Sequence, residues 1–388
     1  MQTTDDQIDE TVQFQPYNDN TLETARVGLR EATLAKRKKD RTSAWNKNRA
    51  SLGESSKNEF FSIDYVNERA KLLRKKRISC EDYRYLPNVL IQCEENINSF
   101  LKIDQNLSGL IRDLSGGNPT LQLYAANCCC NIALGNTKAC TALGKAVVPY
   151  LLTELESLNY ALLDVCIWTI GNLIAGSKKA FFVLHAQNCL KHLILLLNNC
   201  DDTILSSVIY AILHYVHVGF YEISEKEMLE LIHATLKQNL LYKDPNFAWL
   251  LALLSSSTVF ATYPNLLHSS ILSQIVDRLH CCSLDKTINV FNTTEITASV
   301  RILANMLHNS HEDKTNILLR NSKYSQEDLC ILLNTLLSHQ YIHIRKEALW
   351  LIGNLYNHKS LSTSQYIRDI IPFLSSLDQA ILSIGKCA

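Results

Sequence analysis

Two stretches of one pattern, LLDVCIWTIGNLIAG at 162–176 and IRKEALWLIGNLYNH at 344–358, constrain this chain more than anything else in it. In the first, Leu162, Val165, Ile167, Trp168, Ile170 and Leu173 recur at spacings that predict a helix buried over most of its girth. Trp168 and Asn172 are four apart and so share one helix face; Trp350 and Asn354 repeat the spacing. Gly176 reads as a helix stop. Such a motif recurring far along one chain is the signature of a repeat architecture.

Aligning on Asn172 gives intervening copies. They place Asn127 and Asn131, Tyr210 and His214, Trp249 and Leu253, and Arg301 and Asn305 at the Trp and Asn positions. The steps between successive Asn positions are 41, 42, 39, 52 and 49 residues. The first three match the armadillo or HEAT period of about 40–47, and the last two call for loop insertions. Apolar stretches between the marked helices, such as 146–158 (opened by Pro149) and 189–197, read as the other helices of each repeat. A single repeat cannot bury its own apolar face, so stacking is obligatory and yields a superhelix with a concave groove. The expected fold is all-α, a right-handed armadillo-repeat solenoid of about seven repeats over 60–388. The marked residues form a ladder along its groove.

Composition agrees. Only 12 Gly and 7 Pro in 388 residues leave little for a loop-rich all-β protein. The 13 Cys are odd in number, and many sit within apolar helical patterns, which reads as free buried thiols in a reducing compartment, cytoplasm or nucleus. The uncharged stretch 246–263 has the length of a membrane span but falls in repeat register and carries several Ser and Thr, so it reads as a soluble helix pair.

The N-terminus differs from the rest. Residues 1–25 are polar and acidic and read as a disordered tail. Residues 26–52 concentrate cations, among them Arg30, Lys36, Arg37, Lys38, Lys39 and Arg41, with too few apolar residues to enter a core. That segment is a solvated tail, a docking segment for an acidic surface, or a nuclear-import signal in its own right.

Together these features resemble the importin-α (karyopherin-α) family of nuclear-import adaptors over roughly 26–360. The LREATLAKRKKDRTSAWNKNRAS stretch is similar to the family's importin-β-binding region. Arg301 with Asn305 stands where the family places Arg instead of Trp, one repeat before Trp350 with Asn354. The resemblance implies an adaptor that holds basic nuclear localisation signals of cargo proteins. Asn side chains would bind the peptide backbone and indole faces would take Lys and Arg stems. It implies a major site at Asn131, Trp168, Asn172, Tyr210 and His214, with Trp249 next in the ladder, and a minor site at Arg301, Asn305, Trp350 and Asn354. It implies docking on an importin-β-like carrier through the basic segment. Departures are clear: Asn127, Tyr210, His214 and Leu253 replace ladder residues, and the family's lysine-gripping Asp aligns with Gly176. A divergent branch such as the transmembrane-and-coiled-coil-domain-6 type accommodates these losses. The alternative is an armadillo interaction scaffold that no longer recognises nuclear signals.

No catalytic constellation emerges, and the chain reads as a non-enzyme without cofactors and without direct nucleic-acid or membrane partners. Cys128, Cys129 and Cys130 are consecutive on a helix and cannot converge on one metal ion. His280-Cys281-Cys282 and His308 with His311 lack second ligand pairs. Phosphate loops, nucleotide fingerprints and nucleophile elbows are missing from the sequence.

Overall fold

Several helices start with short polar residues that cap the free N–H groups. Asn159 Oδ1 accepts from Leu162 N, Asp201 from Thr203 N and Asn118 from both Thr120 N and Leu121 N. The computed structural model describes residues 61–238, 241, 243–262, 271–284, 293–308 and 310–385. The basic segment 26–52, with Arg30, Lys36, Arg37, Lys38, Lys39 and Arg41, lies outside them, as does the tail 1–25.

The described elements are helical, with no strand among them. They run α1 Ile63–Arg74, α2 Cys80–Gln92, α3 Glu94–Lys102, α4 Asn106–Leu114, α5 Pro119–Ile132, α6 Thr137–Thr153 and α7 Tyr160–Gly176. Next come α8 Lys178–His185, α9 Cys189–Asn199, α10 Asp202–Gly219, α11 Glu225–Leu236, α12 Pro245–Leu254, α13 Thr258–Thr262 and α14 Ile271–Leu284. The last are α15 Thr293–Leu307, α16 Glu312–Leu319, α17 Gln326–Leu337, α18 Ile342–Tyr356, α19 Leu361–Ile370 and α20 Leu377–Gly385.

Two columns result. The helices that carry the marked residues stack consecutively after α2, in the order α5, α7, α10, α12, α15, α18. The shorter helices stack beside them, α4 on α6, α6 on α8, α9 on α11, α11 on α13, α14 on α16 and α17, and α16 on α19. Each layer buries its apolar stripe against the layers above and below, and the product is an all-α armadillo-repeat solenoid. The core between columns is aliphatic, with Leu143, Val147, Ile170, Leu173, Ile209 and Leu213 all buried.

One local expectation changes. Pro149 does not open a helix but lies inside α6, where it leaves the carbonyl four residues earlier without its helical donor. The stretch 246–262 forms the helix pair that its repeat register suggests: α12 ends at Leu254, and α13 runs Thr258–Thr262. No single described helix is long and apolar enough to cross a membrane; the bent pair α8 and α9 passes on length and composition only. Gly176 is the last residue of α7, and its lack of a side chain is required by packing: a Cβ there would sit 2.2 Å from Cys140 Sγ.

Candidate functional site

The ladder asparagines share one geometry. Asn131 Nδ2 donates to the Pro87 carbonyl at 2.7 Å, Asn172 to Cys130 at 3.3 Å, Asn305 to Ala252 at 3.4 Å and Asn354 to Ala304 at 2.9 Å. Every acceptor lies on the preceding helix of the ladder column. One of these carbonyls is a helix-end orphan: Leu134 N bonds to Asn131 O instead of Cys130 O, and Asn172 supplies the missing donor. At Ala252 the helical donor is also lost, since Ser256 N bonds to Leu253 O, and Ser255 Oγ and Asn305 Nδ2 both donate to that carbonyl. Asn305 also donates to Ser255 Oγ at 3.0 Å. These side chains therefore tie layer to layer before they meet any guest. Asn131 and Asn172 are buried, while Asn305 and Asn354 are partly exposed.

In the first half of the ladder, Tyr210 is the central residue. It is fully buried, and its ring lies 4.8 Å from that of Trp168 and 4.4 Å, edge-on, from His214. Its hydroxyl donates to Asn172 Oδ1 at 3.1 Å. The ring covers Gly171 so closely that a Cβ there would lie 2.5 Å from it. Tyr210 thus occupies the pocket that Trp168, Gly171 and Asn172 frame, and Asn172 spends both its amide donor and its oxygen within the fold. Trp168 remains partly exposed; His214 is buried at 7% exposure.

The second half contains a pair that the sequence pattern did not reveal. Arg301 Nε donates to Glu347 Oε2 at 3.0 Å, and its Nη2 reaches Oε1 of the same carboxylate. The two side chains are 14% and 3% exposed. The guanidinium also lies 5.5 Å from the Trp249 ring centroid. Arg301 therefore joins α15 to α18 while stacking on α12. Glu347 was legible only as the lone acid in IRKEALW, one turn before Trp350.

The α18 end of the ladder differs from α7. Trp350 is 37% exposed, and a Cβ on Gly353 would meet nothing within 4 Å. Asn354 holds its amide nitrogen on Ala304, and its oxygen accepts no hydrogen bond from the described residues. No described residue fills the counterpart of the pocket that Tyr210 occupies at α7. Trp350, Gly353 and Asn354 present an aromatic face, a cleared floor and an acceptor that together suit an extended chain bearing aliphatic or cationic side chains.

The cysteines of the ladder are core residues. Cys128, Cys129 and Cys166 are buried, and burial pushes their thiols upward, Cys129 to about 12. Among the described residues no group of three or more His, Cys, Asp and Glu side chains is arranged to hold a metal ion.

Comparison with known proteins gives the following. No family model matches the chain. A solved engineered protein is similar to it with a TM-score of 0.54 at 16% identity, covering 83% of this chain and 92% of that one. A designed armadillo repeat protein matches with a TM-score of 0.42 at 16% identity, over 75% of this chain and 99% of that one. A designed armadillo repeat protein in complex with the peptide (KR)4 matches with a TM-score of 0.41 at 16% identity, over 74% and 98%. The first of these likenesses bears on the fold alone.

Proposed function

We propose that the protein is a peptide-binding adaptor of the nuclear-import type, which takes an extended basic segment of a cargo protein at the α18 end of its ladder. The observation that carries this reading is the partly exposed indole of Trp350 beside Gly353 and Asn354, where no described residue takes the place that Tyr210 takes at α7. A lysine or arginine stem over the Trp350 face contributes about 0.5–2 kcal/mol. Asn354 Oδ1 takes a backbone N–H of the guest. The basic segment 26–52 docks on an importin-β-like carrier, and the protein moves between cytoplasm and nucleus. This role requires no catalysis and no cofactor.

The test is a titration of a lysine-rich import peptide into the full chain. Trp350→Ala combined with Asn354→Ala is expected to weaken binding about tenfold or more, whereas Trp168→Ala has a small effect. Binding that is absent, or unchanged by the α18 pair, overturns the reading. Carrier docking is tested separately by pull-down with 26–52 as bait, with Lys36, Arg37, Lys38 and Lys39 changed to Ala as the control.

A second reading is favoured by the filled α7 pocket and the committed Arg301 guanidinium: an armadillo scaffold that has lost basic-signal recognition. It expects neither the peptide nor the carrier to bind.

A further inference from the structure

Away from the ladder, the run KLLRKKR at 71–77 ends α1 and begins the turn that leads to α2. Lys71, Arg74, Lys75, Lys76 and Arg77 are five cations in seven residues, and all five are exposed. None of their side chains makes an ion pair with a described residue. The cations that do pair in this part of the chain are others, Arg69 with Glu68 and Asp82, and Arg112 with Asp113.

A helix C-terminus favours cations in its last turn, which accounts for Lys71 and Arg74. That effect does not extend to Lys75, Lys76 and Arg77, which lie beyond the last residue of α1. Lys71, Arg74 and Lys75 also share a helix face at spacings of three and four, where like charges repel. An anion laid across them relieves that repulsion.

The turn that carries these cations is fixed. Lys76 N donates to Leu73 O at 3.1 Å and Arg77 N to Leu72 O at 2.9 Å, the pair of backbone bonds that closes many helices through a left-handed residue. Glycine usually takes that place; here it is Lys76, at a φ of 57°. A side chain is thus kept where the backbone would be less strained without one. Leu73, inside the run, is fully buried, and Arg112 on α4 donates to its carbonyl from Nη1 at 3.3 Å and from Nη2 at 3.2 Å. The backbone beneath the charges is therefore fastened to α4, so it has little freedom left to lose when a partner binds.

The surroundings set the size of that partner. Asp64 and Glu68 precede the run on α1, and Glu81 and Asp82 follow it on α2. Of the chain's 38 Lys and Arg, five lie in this run, and the other 33 face 38 Asp and Glu. A nucleic-acid duplex carries one negative charge per about 1.7 Å of its length and would run off the patch onto like charge. A short segment bearing a few carboxylates stays on it.

We propose that the turn from α1 to α2 is a docking surface for a short acidic segment, rich in Asp and Glu, of a partner protein. Charge complementarity over five unpaired cations supplies the attraction, and the pinned backbone supplies the register. The surface belongs to the first helices of the solenoid and Trp350 to α18, so an acidic partner here and a basic guest there do not compete.

The experiment is fluorescence anisotropy of a labelled, glutamate-rich peptide titrated with the full chain at low salt. Lys36, Arg37, Lys38 and Lys39 are changed to Ala throughout, so that this upstream cluster stays out of the readout. Saturable binding is expected, weakening as chloride is raised. Two variants are compared within that background. Lys75→Gln with Lys76→Gly and Arg77→Gln removes the charge of the turn while glycine keeps its left-handed backbone. Lys71→Gln with Arg74→Gln and Lys75→Gln removes the charge of the helix face and leaves Lys76 in place. Each set is expected to weaken binding about tenfold or more with the fold retained, checked by thermal melting. Lys75→Arg with Arg77→Lys keeps the charge and is expected to keep the affinity. The proposal is overturned if the background protein shows no saturable binding, if either charge-removing set binds as tightly as it does, or if a short DNA duplex binds to the turn more tightly than the peptide.

Discussion

Tyr210 reaches back from α10 to donate its hydroxyl to Asn172 Oδ1 on α7, at 3.1 Å, with its ring packed against Gly171. One residue thereby decides whether that rung of the ladder faces a guest or the core. Gly171→Ala places a methyl where the ring now lies. It is expected to destabilise the fold by about 1–3 kcal/mol, as overpacking does. In combination with Tyr210→Ala much of that penalty disappears, because the clash is gone. A double-mutant cycle measured by urea unfolding checks the coupling.

Arg301 and Glu347 form a nearly buried pair across α15 and α18. Glu347→Ala strands the guanidinium and is expected to cost about 3–5 kcal/mol. Replacing both residues by apolar ones of similar size, Arg301→Met with Glu347→Leu, is expected to come within about 1–2 kcal/mol of the original stability. Denaturant midpoints of the single and double variants decide this. Equal losses in both would show that packing, not the uncompensated charge, sets the penalty.

The asparagines differ in what they lose. Asn172 is buried and uses both ends of its amide, so Asn172→Ala leaves two partners unsatisfied and is expected to cost about 2–4 kcal/mol. Asn354 uses only its nitrogen, so Asn354→Ala is expected to cost about 1 kcal/mol in stability. Thermal melts of the two variants side by side provide the comparison.

Four histidines are held below the ordinary value by burial: His280, His339, His343 and His358. At His280 the carboxylates of Asp328 and Asp277 oppose the effect without overcoming it. A depressed folded value means that the unfolded chain takes up protons first as pH falls. Stability is therefore expected to drop as pH passes below about 6.5 and to level off below the folded values. His280 is fully buried, is stacked on Tyr324 at 4.0 Å and has no partner on either ring nitrogen. His280→Phe keeps the stack and removes both orphaned atoms. It is expected to raise stability by about 1–2 kcal/mol and to shrink the acid-side loss, measured by urea unfolding near neutral pH and at about pH 5.5.

The architecture was legible because apolar spacing reports directly on which helix faces are buried. The helices at 162–176 and 344–358 appear as Tyr160–Gly176 and Ile342–Tyr356, and the aligned copies fall on successive helices of one column. What lies above each rung was not legible. The Trp-to-Asn spacing puts two side chains on one face, but whether that face is open depends on the next helix. At α7 it is closed by Tyr210, and at α18 no described residue closes it. Arg301 has the same history: its place in the series was visible, but its partner Glu347 sits 46 residues further on, at a distance no local pattern encodes. The Pro149 signal failed because neighbouring layers hold α6 together through an interrupted backbone bond.

The amide-to-carbonyl ties have a bearing on how such a chain can change. Their acceptors belong to Pro87, Cys130, Ala252 and Ala304, residues with nothing in common but a main-chain oxygen. A joint of that kind asks for a particular side chain on one partner and none on the other. Neighbouring units are thus free to drift in sequence while staying fastened, and a unit that gives up its asparagine for an apolar residue, as at Leu253, loses only the clasp to the unit before it.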